Sequence, residues 1–234
     1  MRLTDPDTIL NMYQILNDFH DFCQVVGLEY WIAYGTLLGA VRHEGIIPWD
    51  DDVDVCIREK DAHILESESN INLLREAGYA VKKWWFGYRF YVEGGPIIRA
   101  TDGYHCPGCK IPIEDHSKNV CNCESRYPFI DVFVMVEKDD ALVHNDERAV
   151  VNFKGEFRAD DVFPLKFFKF GEIEVQGPQN PLPFLNRVYG EDWEEVGREG
   201  YQHDTKEKGD GVIMREEIES WRPAMPTGPL IRHF

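Results

Sequence analysis

The stretch YGTLLGAVRHEGIIPWDDDVDV, residues 34–55, joins a glycine-threonine turn to an acidic run that leads into an apolar strand. We predict that the turn opens a short helix over residues 37–43 and that the acidic run enters a strand over residues 52–57. Alternation along the strand then places Asp52 and Asp54 on one face and the apolar residues on the buried face. Two carboxylates this close repel each other unless a cation lies between them, so the pattern favours a divalent-metal site.

The turn has the features of a phosphate-binding turn. Gly35 permits a tight turn, Thr36 can cap the helix or bond a phosphate oxygen, and Gly39 lets another backbone or a ligand come close. The free N–H groups and the dipole at a helix start favour an anion. Ordinary capping explains such a turn when it stands alone, but the acidic strand that follows favours phosphate binding.

A third carboxylate, Asp131, lies within the apolar run of residues 129–136, which is the clearest strand pattern in the chain. A charge in such a strand is costly unless it is paired or bound to a metal. We expect Asp131 to complete the metal site with Asp52 and Asp54, and the alternative is a buried salt bridge. Three basic residues are candidate phosphate ligands or ordinary surface charges: Arg89, Arg99 and Lys166.

The remaining periodicity predicts an α/β fold of the α+β kind, in which a small mixed sheet is flanked by helices. Apolar residues at helical spacing predict a first helix that Asp5 caps and Gly27 ends. A second amphipathic helix is expected over residues 61–78, followed by a hairpin that turns at Gly87. A further helix is predicted over residues 183–189.

Length and charge limit the organisation of the chain. A chain of 234 residues with 43% hydrophobic residues suits one globular domain with a small appendage. We predict a catalytic domain over residues 1–195, with a Cys-rich insertion over residues 102–126, and a charged tail over residues 196–234. The net charge of −17 argues against nucleic acid as a partner.

Four cysteines are clustered in the predicted insertion with the spacing C-x₂-C-x₁₁-C-x-C: Cys106, Cys109, Cys121 and Cys123. A C-x₂-C turn with proline and glycine between the thiols is a common half-site for zinc, so we predict a closed structural Zn²⁺ site. Two disulfides are the alternative if the protein works in the secretory pathway, and free thiols are the third option.

Residues 34–43 and 47–55 together resemble the signature of the LicD family, which includes bacterial phosphocholine transferases and the animal fukutin and fukutin-related proteins. Residues 163–193 resemble the C-terminal segment of the same family, so the likeness extends over roughly residues 8–195. The resemblance implies a nucleotidyltransferase-type fold. It also implies that a phospho-alcohol group, of the phosphocholine or ribitol phosphate type, moves from a CDP-activated donor to a sugar hydroxyl of a glycan.

The resemblance assigns roles by position. The implied ligands of Mg²⁺ or Mn²⁺ are carboxylates: Asp52, Asp54 and Asp131. The resemblance places four residues of the turn and of the helix that follows it at the donor phosphates: Gly35, Thr36, Gly39 and Arg42. Alternatively, Arg42 pairs with Asp50 or Asp51. These two acids are expected to support the site rather than to bind the metal ion. Asp131 is also the expected acceptor of the proton of the attacking hydroxyl.

Two other functions fit the same residues. One is nucleotidyl transfer from a nucleoside triphosphate, and the other is a non-catalytic, zinc-stabilised binding module. No apolar stretch is long enough to span a membrane and the first 14 residues lack a signal-peptide pattern, so the expectation is a cytoplasmic protein. The Golgi lumen is the alternative if this chain is a segment of a longer, anchored protein, because the animal relatives work there.

Overall fold

A computed structural model describes residues 2–98, 125–202, 207–217 and 222–234. The helices are α1 (Pro6–Val26), α2 (Tyr34–Arg42), α3 (His63–Glu66), α4 (Glu68–Glu76), α5 (Glu147–Phe153), α6 (Ala159–Val162) and α7 (Leu182–Tyr189). The strands are β1 (Tyr30–Ile32), β2 (Val53–Arg58), β3 (Tyr79–Trp84), β4 (Gly87–Val92), β5 (Ile97–Ile98), β6 (Ser125–Arg126), β7 (Phe129–Lys138), β8 (Ala141–His144), β9 (Phe157–Arg158), β10 (Lys166–Phe170), β11 (Ile173–Gly177), β12 (Val196–Arg198), β13 (Tyr201–Gln202), β14 (Glu207–Lys208) and β15 (Val212–Met214).

One mixed sheet forms the centre of the described part of the chain. Its strand order is β1-β2-β7-β4-β3, with β8 and β9 added beside the second half of β7. β2 and β7 are parallel, whereas the other neighbouring pairs of this sheet are antiparallel. The predicted α/β fold with a small mixed sheet flanked by helices is confirmed.

The first helix follows its sequence signals closely. The Asp5 side chain accepts hydrogen bonds from two backbone N–H groups of the first turn, and Gly27 ends the helix in the left-handed conformation with φ of 71°. Met12, Leu16 and Phe19 are fully buried on the face that packs against the sheet. The helical periodicity therefore predicted both the ends and the buried face of α1.

Two elements at the predicted site begin at other residues than we expected. α2 starts at Tyr34, so Gly35 and Thr36 already belong to its first turn instead of preceding it. β2 starts at Val53, so Asp52 immediately precedes the strand. The connection from α2 to β2 therefore runs over residues 43–52, and the first turn of α2 contacts the start of β2 through Thr36 and Asp54.

The second helix and the hairpin differ more from the prediction. The expected helix over residues 61–78 is broken into α3 and α4, because Ser67 is extended and its hydroxyl caps α4 by accepting the Asn70 N–H. The hairpin turns at residues 85–86, and Gly87 is the first residue of β4. Gly87 has φ of 149°, and a Cβ there would lie 2.2 Å from the Val132 carbonyl oxygen.

The C-terminal residues 222–234 pack on the first helix. Tyr13 donates its hydroxyl hydrogen to the Ala224 carbonyl at 2.9 Å and accepts the Ile46 N–H at 3.1 Å. The Phe234 ring lies 5.6 Å from the Phe22 ring. Over the described residues, the segment predicted as a tail therefore contributes to the core beside α1. None of the helices within these residues has the length and apolar character to cross a bilayer.

Candidate functional site

Three neighbouring strands bring two carboxylates and an arginine into one row. In the parallel register of β2 and β7, Asp54 lies directly beside Asp131. In the antiparallel register of β7 and β4, Asp131 lies directly beside Arg89. Directly paired residues project to the same face of a sheet, so the three side chains share one face. Asp54 and Asp131 are only 9% and 7% exposed, so two acidic groups are held together almost out of water.

Arg89 forms a two-point salt bridge with Asp131. Its Nε donates to Oδ1 at 2.7 Å and its Nη2 donates to Oδ2 at 3.4 Å. The guanidinium carbon lies 4.8 Å from the centre of the Trp84 ring and 4.3 Å from that of the Phe129 ring. The salt bridge was the alternative that the sequence left open for Asp131. It does not exclude a cation, because each carboxylate oxygen has a second lone pair.

Asp54 is attached to the first turn of α2 by three hydrogen bonds. Its backbone N–H donates to the Thr36 hydroxyl at 2.8 Å, and its carbonyl accepts the Ala33 N–H at 3.1 Å. Its carboxylate accepts the Gly35 N–H. The predicted phosphate turn and the predicted metal-binding strand are therefore one connected unit, in which Gly35 and Thr36 hold Asp54 in place.

The electrostatic environment of Asp54 is that of a carboxylate held among other carboxylates. Burial raises its pKa well above the usual value of 3.8, and the charges of Asp52, Asp131 and Asp50 raise the pKa further. The hydrogen bond from the Gly35 N–H acts in the opposite direction. A positive charge placed among these groups would relieve the repulsion.

The acidic run before β2 forms a cluster of its own. One carboxylate oxygen of each of Asp50, Asp51 and Asp52 lies within 4.8 Å of the others. Asp51 is buried, and Asp50 lies so close to α2 that a Cβ added to Gly35 would be 2.5 Å from Asp50 Oδ2. The sequence interpretation gave Asp50 and Asp51 a supporting role, whereas the structure groups them with Asp52.

This set of donors fits a hard divalent cation. Mg²⁺ and Mn²⁺ prefer carboxylate oxygens, and the clustered oxygens of residues 50–52 have the spacing that an ion could bridge. Burial and the neighbouring carboxylates both raise the pKa of Asp54, and a cation bound there would offset this effect. The residues that would hold the ion are carboxylates: Asp50, Asp51, Asp52, Asp54 and Asp131.

Packing accounts for the other two residues predicted at the donor phosphates. A Cβ on Gly39 would lie 2.5 Å from the Gly45 carbonyl oxygen, so the glycine allows the loop after α2 to fold back on it. Arg42 Nη1 donates to the carbonyls of Trp193 and Val196 at 2.8 and 3.1 Å. Burial lowers the pKa of Arg42 to about 10, and Asp50 contributes in the opposite direction. Arg42 therefore connects the site helix to the segment after α7, across the predicted domain boundary at residue 195.

Two tyrosines border the acidic cluster, and the sequence interpretation did not list them as site residues. Tyr189, at the end of α7, has a pKa raised well above its usual value by burial and then by the charges of Asp50 and Asp54. Tyr127 donates its hydroxyl hydrogen to the Asp51 carbonyl at 3.2 Å. Tyr189 lay within the second stretch that resembled the LicD family, which was the available signal.

Several predicted residues are not part of this site or cannot be placed. Lys166 lies at the start of β10 with its ammonium 4.8 Å from the centre of the Phe168 ring. Arg99 falls outside the described residues. So do the four cysteines of the predicted zinc site, Cys106, Cys109, Cys121 and Cys123, and with them the Cys-rich insertion.

The chain matches one protein-family model over residues 27–180, a range that includes all five site carboxylates. The model is that of the LicD family, described as "LicD/FKTN/FKRP, nucleotidyltransferase domain". The match covers well over half of the chain. The strands that carry Asp54 and Asp131, β2 and β7, lie entirely within it.

Two relatives that bear names of this family, and one uncharacterised protein, are similar to the chain. An uncharacterised protein of Rickettsia typhi is 31% identical over 228 residues, which are 94% of this chain and 60% of that protein. Human ribitol 5-phosphate transferase FKRP is 44% identical over 172 residues, which are 71% of this chain and 28% of FKRP. The lipopolysaccharide cholinephosphotransferase LicD of Haemophilus influenzae is 46% identical over 54 residues, 23% of this chain and 20% of that enzyme. The chain thus spans 60% or less of the length of each of these three relatives.

A solved structure with some similarity is that of ANT(2")-Ia in complex with adenylyl-2"-tobramycin. It has a TM-score of 0.30 and 10% sequence identity, and the match covers 54% of this chain and 51% of the other. A similarity this low carries no argument about function.

Proposed function

The chain belongs to the LicD family, and from that premise we propose that it is a metal-dependent transferase. It moves a phospho-alcohol group, of the phosphocholine or ribitol phosphate type, from a CDP-activated donor to a sugar hydroxyl of a glycan. The names of the relatives in Haemophilus influenzae and human support this class of transferred group.

The observation that carries the proposal is the pairing of Asp54 with Asp131 beside the carboxylates of residues 50–52, at the first turn of α2. Five convergent carboxylates, three of them buried, are costly for a protein that does not bind a cation there. Beside the N-terminal turn of a helix, they would be suited to a substrate that carries phosphate groups.

In the reaction we propose, the oxygen of the acceptor hydroxyl attacks the phosphorus that carries the alcohol. The bond from this phosphorus to the oxygen of CMP breaks, and CMP leaves. A bound divalent cation would offset the charge of the donor diphosphate and of the leaving CMP. Asp131 accepts the hydroxyl proton through a lone pair that Arg89 does not use. Gly35 and Thr36 hold Asp54 in place while the donor phosphates lie against the turn.

A screen of donors tests this function. We expect the purified chain to gain thermal stability with a CDP-alcohol only in the presence of Mn²⁺, because a ligand that binds the native state raises its stability. CDP-choline, CDP-ribitol, CTP and ATP would be compared, each with and without Mn²⁺. Asp54→Asn should lose the response, and Asp160→Asn, an exposed acid on α6, should keep it.

Other outcomes of the screen separate the remaining functions. Turnover of CTP or ATP with release of pyrophosphate would replace the proposal with nucleotidyl transfer. A wild-type protein that binds neither Mn²⁺ nor any cytidine nucleotide would leave the non-catalytic binding module as the better explanation.

We also propose a structural Zn²⁺ at Cys106, Cys109, Cys121 and Cys123, on the basis of their spacing alone. Metal analysis of the purified protein with and without reductant tests it. One zinc per chain that reductant does not remove is the expected result, and zinc-free protein with no titratable thiols would indicate disulfides instead.

A further inference from the structure

We propose that Arg89 is the built-in counter-cation of the carboxylate row, a positioning residue that fixes Asp131 and keeps the site folded before a divalent ion arrives. The inference rests on the proposed metal site, but its first part concerns the protein without metal. Arg89 was a candidate phosphate ligand or a surface charge in the sequence. The geometry points to a third role.

The contacts of Arg89 leave it little freedom. Two of its nitrogens donate to the two oxygens of Asp131, so both the position and the rotation of the carboxylate are defined. The guanidinium also lies within cation–π distance of the Trp84 and Phe129 rings. The Arg89 side chain is 14% exposed and that of Asp131 is 9% exposed. A side chain held by one carboxylate and two aromatic rings is suited to keep its neighbour in place and is poorly suited to follow a substrate.

The charge balance of the row explains why such a residue is needed. Asp54 and Asp131 are adjacent and nearly buried, and Asp52 and Asp50 add to the negative charge around Asp54. Leaving a buried carboxylate without a partner costs much more free energy of folding than leaving an exposed carboxylate unpaired, because water cannot compensate the buried charge. Arg89 supplies one positive charge at the end of the row, and each Asp131 oxygen that accepts from it keeps a second lone pair for an ion.

Arg58 provides a natural control on the same sheet. It also lies over an aromatic ring, with its guanidinium carbon 4.9 Å from the centre of Phe163, and it forms ion pairs with Asp61, at 3.1 Å, and with Glu29. Its side chain is 20% exposed, close to that of Arg89. It lies four residues beyond Asp54 on β2, away from the acidic row. Substituting Arg58 therefore removes ion pairs and a cation–π contact from the same sheet without touching the site.

The proposal predicts that a metal ion and Arg89 partly replace each other. In Arg89→Met the Trp84 and Phe129 rings keep an apolar, flexible partner, but Asp131 and Asp54 lie side by side without the positive charge of Arg89. Mn²⁺ then has more repulsion to relieve, so it should stabilise this variant more than it stabilises the wild type. In Arg58→Met the metal-free stability should fall as well, but the gain from Mn²⁺ should stay at the wild-type value.

The experiment measures melting temperatures in chelator and in saturating Mn²⁺ for the wild type, R89M, R58M and the double variant R89M/D131N. We expect R89M to lower the metal-free Tm by roughly 6–12 °C and to show a larger rise with Mn²⁺ than the wild type. Adding D131N should restore part of the metal-free Tm, because it removes the stranded charge. If R89M does not fold, R89K retains the charge without the two-point contact and should show an intermediate rise.

The outcomes separate this inference from the proposed function. A rise with Mn²⁺ in R89M or R89K that is no larger than in the wild type, or a D131N change that restores nothing, overturns the role of Arg89. A wild type that shows no rise with Mn²⁺ counts against the proposed metal-dependent function instead. The recovery by D131N is measured without metal, so it still decides whether Arg89 neutralises the row.

Discussion

Asp54 on β2 and Asp131 on β7 lie side by side in a parallel pair of strands, and both side chains are almost completely buried. Such a pair destabilises the folded protein and favours the binding of a cation. Removing one of the two charges should therefore raise the metal-free stability and weaken metal binding. The first prediction follows directly from this opposition.

Asp54→Asn should stabilise the metal-free protein at neutral pH. Burial, and then Asp52, Asp131 and Asp50, raise the pKa of Asp54 well above 3.8. The native state therefore holds this proton more tightly than the unfolded state. The resulting stability is complete below pH 3.8 and is lost as the pH rises through the folded pKa. Urea unfolding at pH 5.5 and 7.5 in chelator should show a gain of at least about 1 kcal/mol for the variant at pH 7.5 and a smaller gain at pH 5.5.

The same substitution should abolish turnover. A variant that is more stable but inactive would show that the charge is retained for its chemistry. An Asp54→Asn protein that is less stable than the wild type at every pH would contradict the repulsion on which the site is built, because the amide is uncharged.

His144 should give the opposite pH dependence. Burial lowers its pKa from 6.5 to about 4, so the native state holds the neutral ring. The stability linked to this group is present above pH 6.5 and is lost as the pH falls towards 4. The ring also bonds to the Tyr34 hydroxyl, with Nε2 at 2.6 Å.

Between pH 7.5 and pH 5.0 the wild type should lose about 2 kcal/mol of unfolding free energy through His144, and His144→Gln should not show that part of the loss. His63→Gln, on the exposed start of α3, is the control and should leave the pH dependence as in the wild type. Parallel pH profiles for the wild type and His144→Gln would mean that the buried ring is already protonated or is not buried in solution.

Alanine at two glycines of α2 should have different consequences. At Gly35 the new Cβ meets a side-chain oxygen, Asp50 Oδ2, and at Gly39 it meets a backbone oxygen, that of Gly45. A side chain can move away, whereas a packed loop cannot. We expect Gly39→Ala to cost about 2 kcal/mol or more of unfolding free energy, and Gly35→Ala to cost less but to weaken Mn²⁺ binding. Gly94→Ala, which meets nothing within 4 Å, should change neither quantity.

Arg42→Met should loosen the segment that follows α7. The substitution leaves the carbonyls of Trp193 and Val196 without their guanidinium donor, at a cost of roughly 1–3 kcal/mol. Limited proteolysis should then cut between residues 190 and 200 faster than in the wild type. Arg198→Met removes an exposed ion pair with Asp192 from the same segment and should have little effect. Equal cleavage of both variants would show that Arg42 does not anchor this segment.

The sequence predicts those features that depend on local patterns. The ends of α1 follow from Asp5 and Gly27, and the acidic strand and Asp131 stand out because charges are rare in apolar strands. Each of these signals depends only on neighbouring residues, and the alternation of side chains along β2 is enough to place Asp54 on its face of the sheet.

Features that depend on distant partners were not predictable in the same way. The salt bridge of Arg89 depends on the register between β4 and β7, which no local pattern specifies. The break between α3 and α4 depends on the Ser67 cap, which competes with an otherwise continuous apolar pattern. Tyr189 reaches the acidic cluster only because α7 packs beside α2.

Tyr189→Phe tests that last relationship. Burial, and then the charges of Asp50, Asp54 and Asp52, raise the pKa of the hydroxyl well above its usual value, so it stays protonated and can serve as a hydrogen-bond donor near the acidic cluster. A donor at this position would orient a substrate phosphate or one of the carboxylates without adding charge. We expect the variant to fold with near-native stability, because phenylalanine fills the same space. Turnover should fall about tenfold, which is the loss of one hydrogen bond in the transition state, and the Kd for Mn²⁺ should stay within about twofold.

Tyr91→Phe, a half-buried tyrosine on β4, is the control. A loss of Mn²⁺ affinity in proportion to the loss of turnover would instead make Tyr189 a support of the metal-binding carboxylates, and unchanged turnover would remove it from the site.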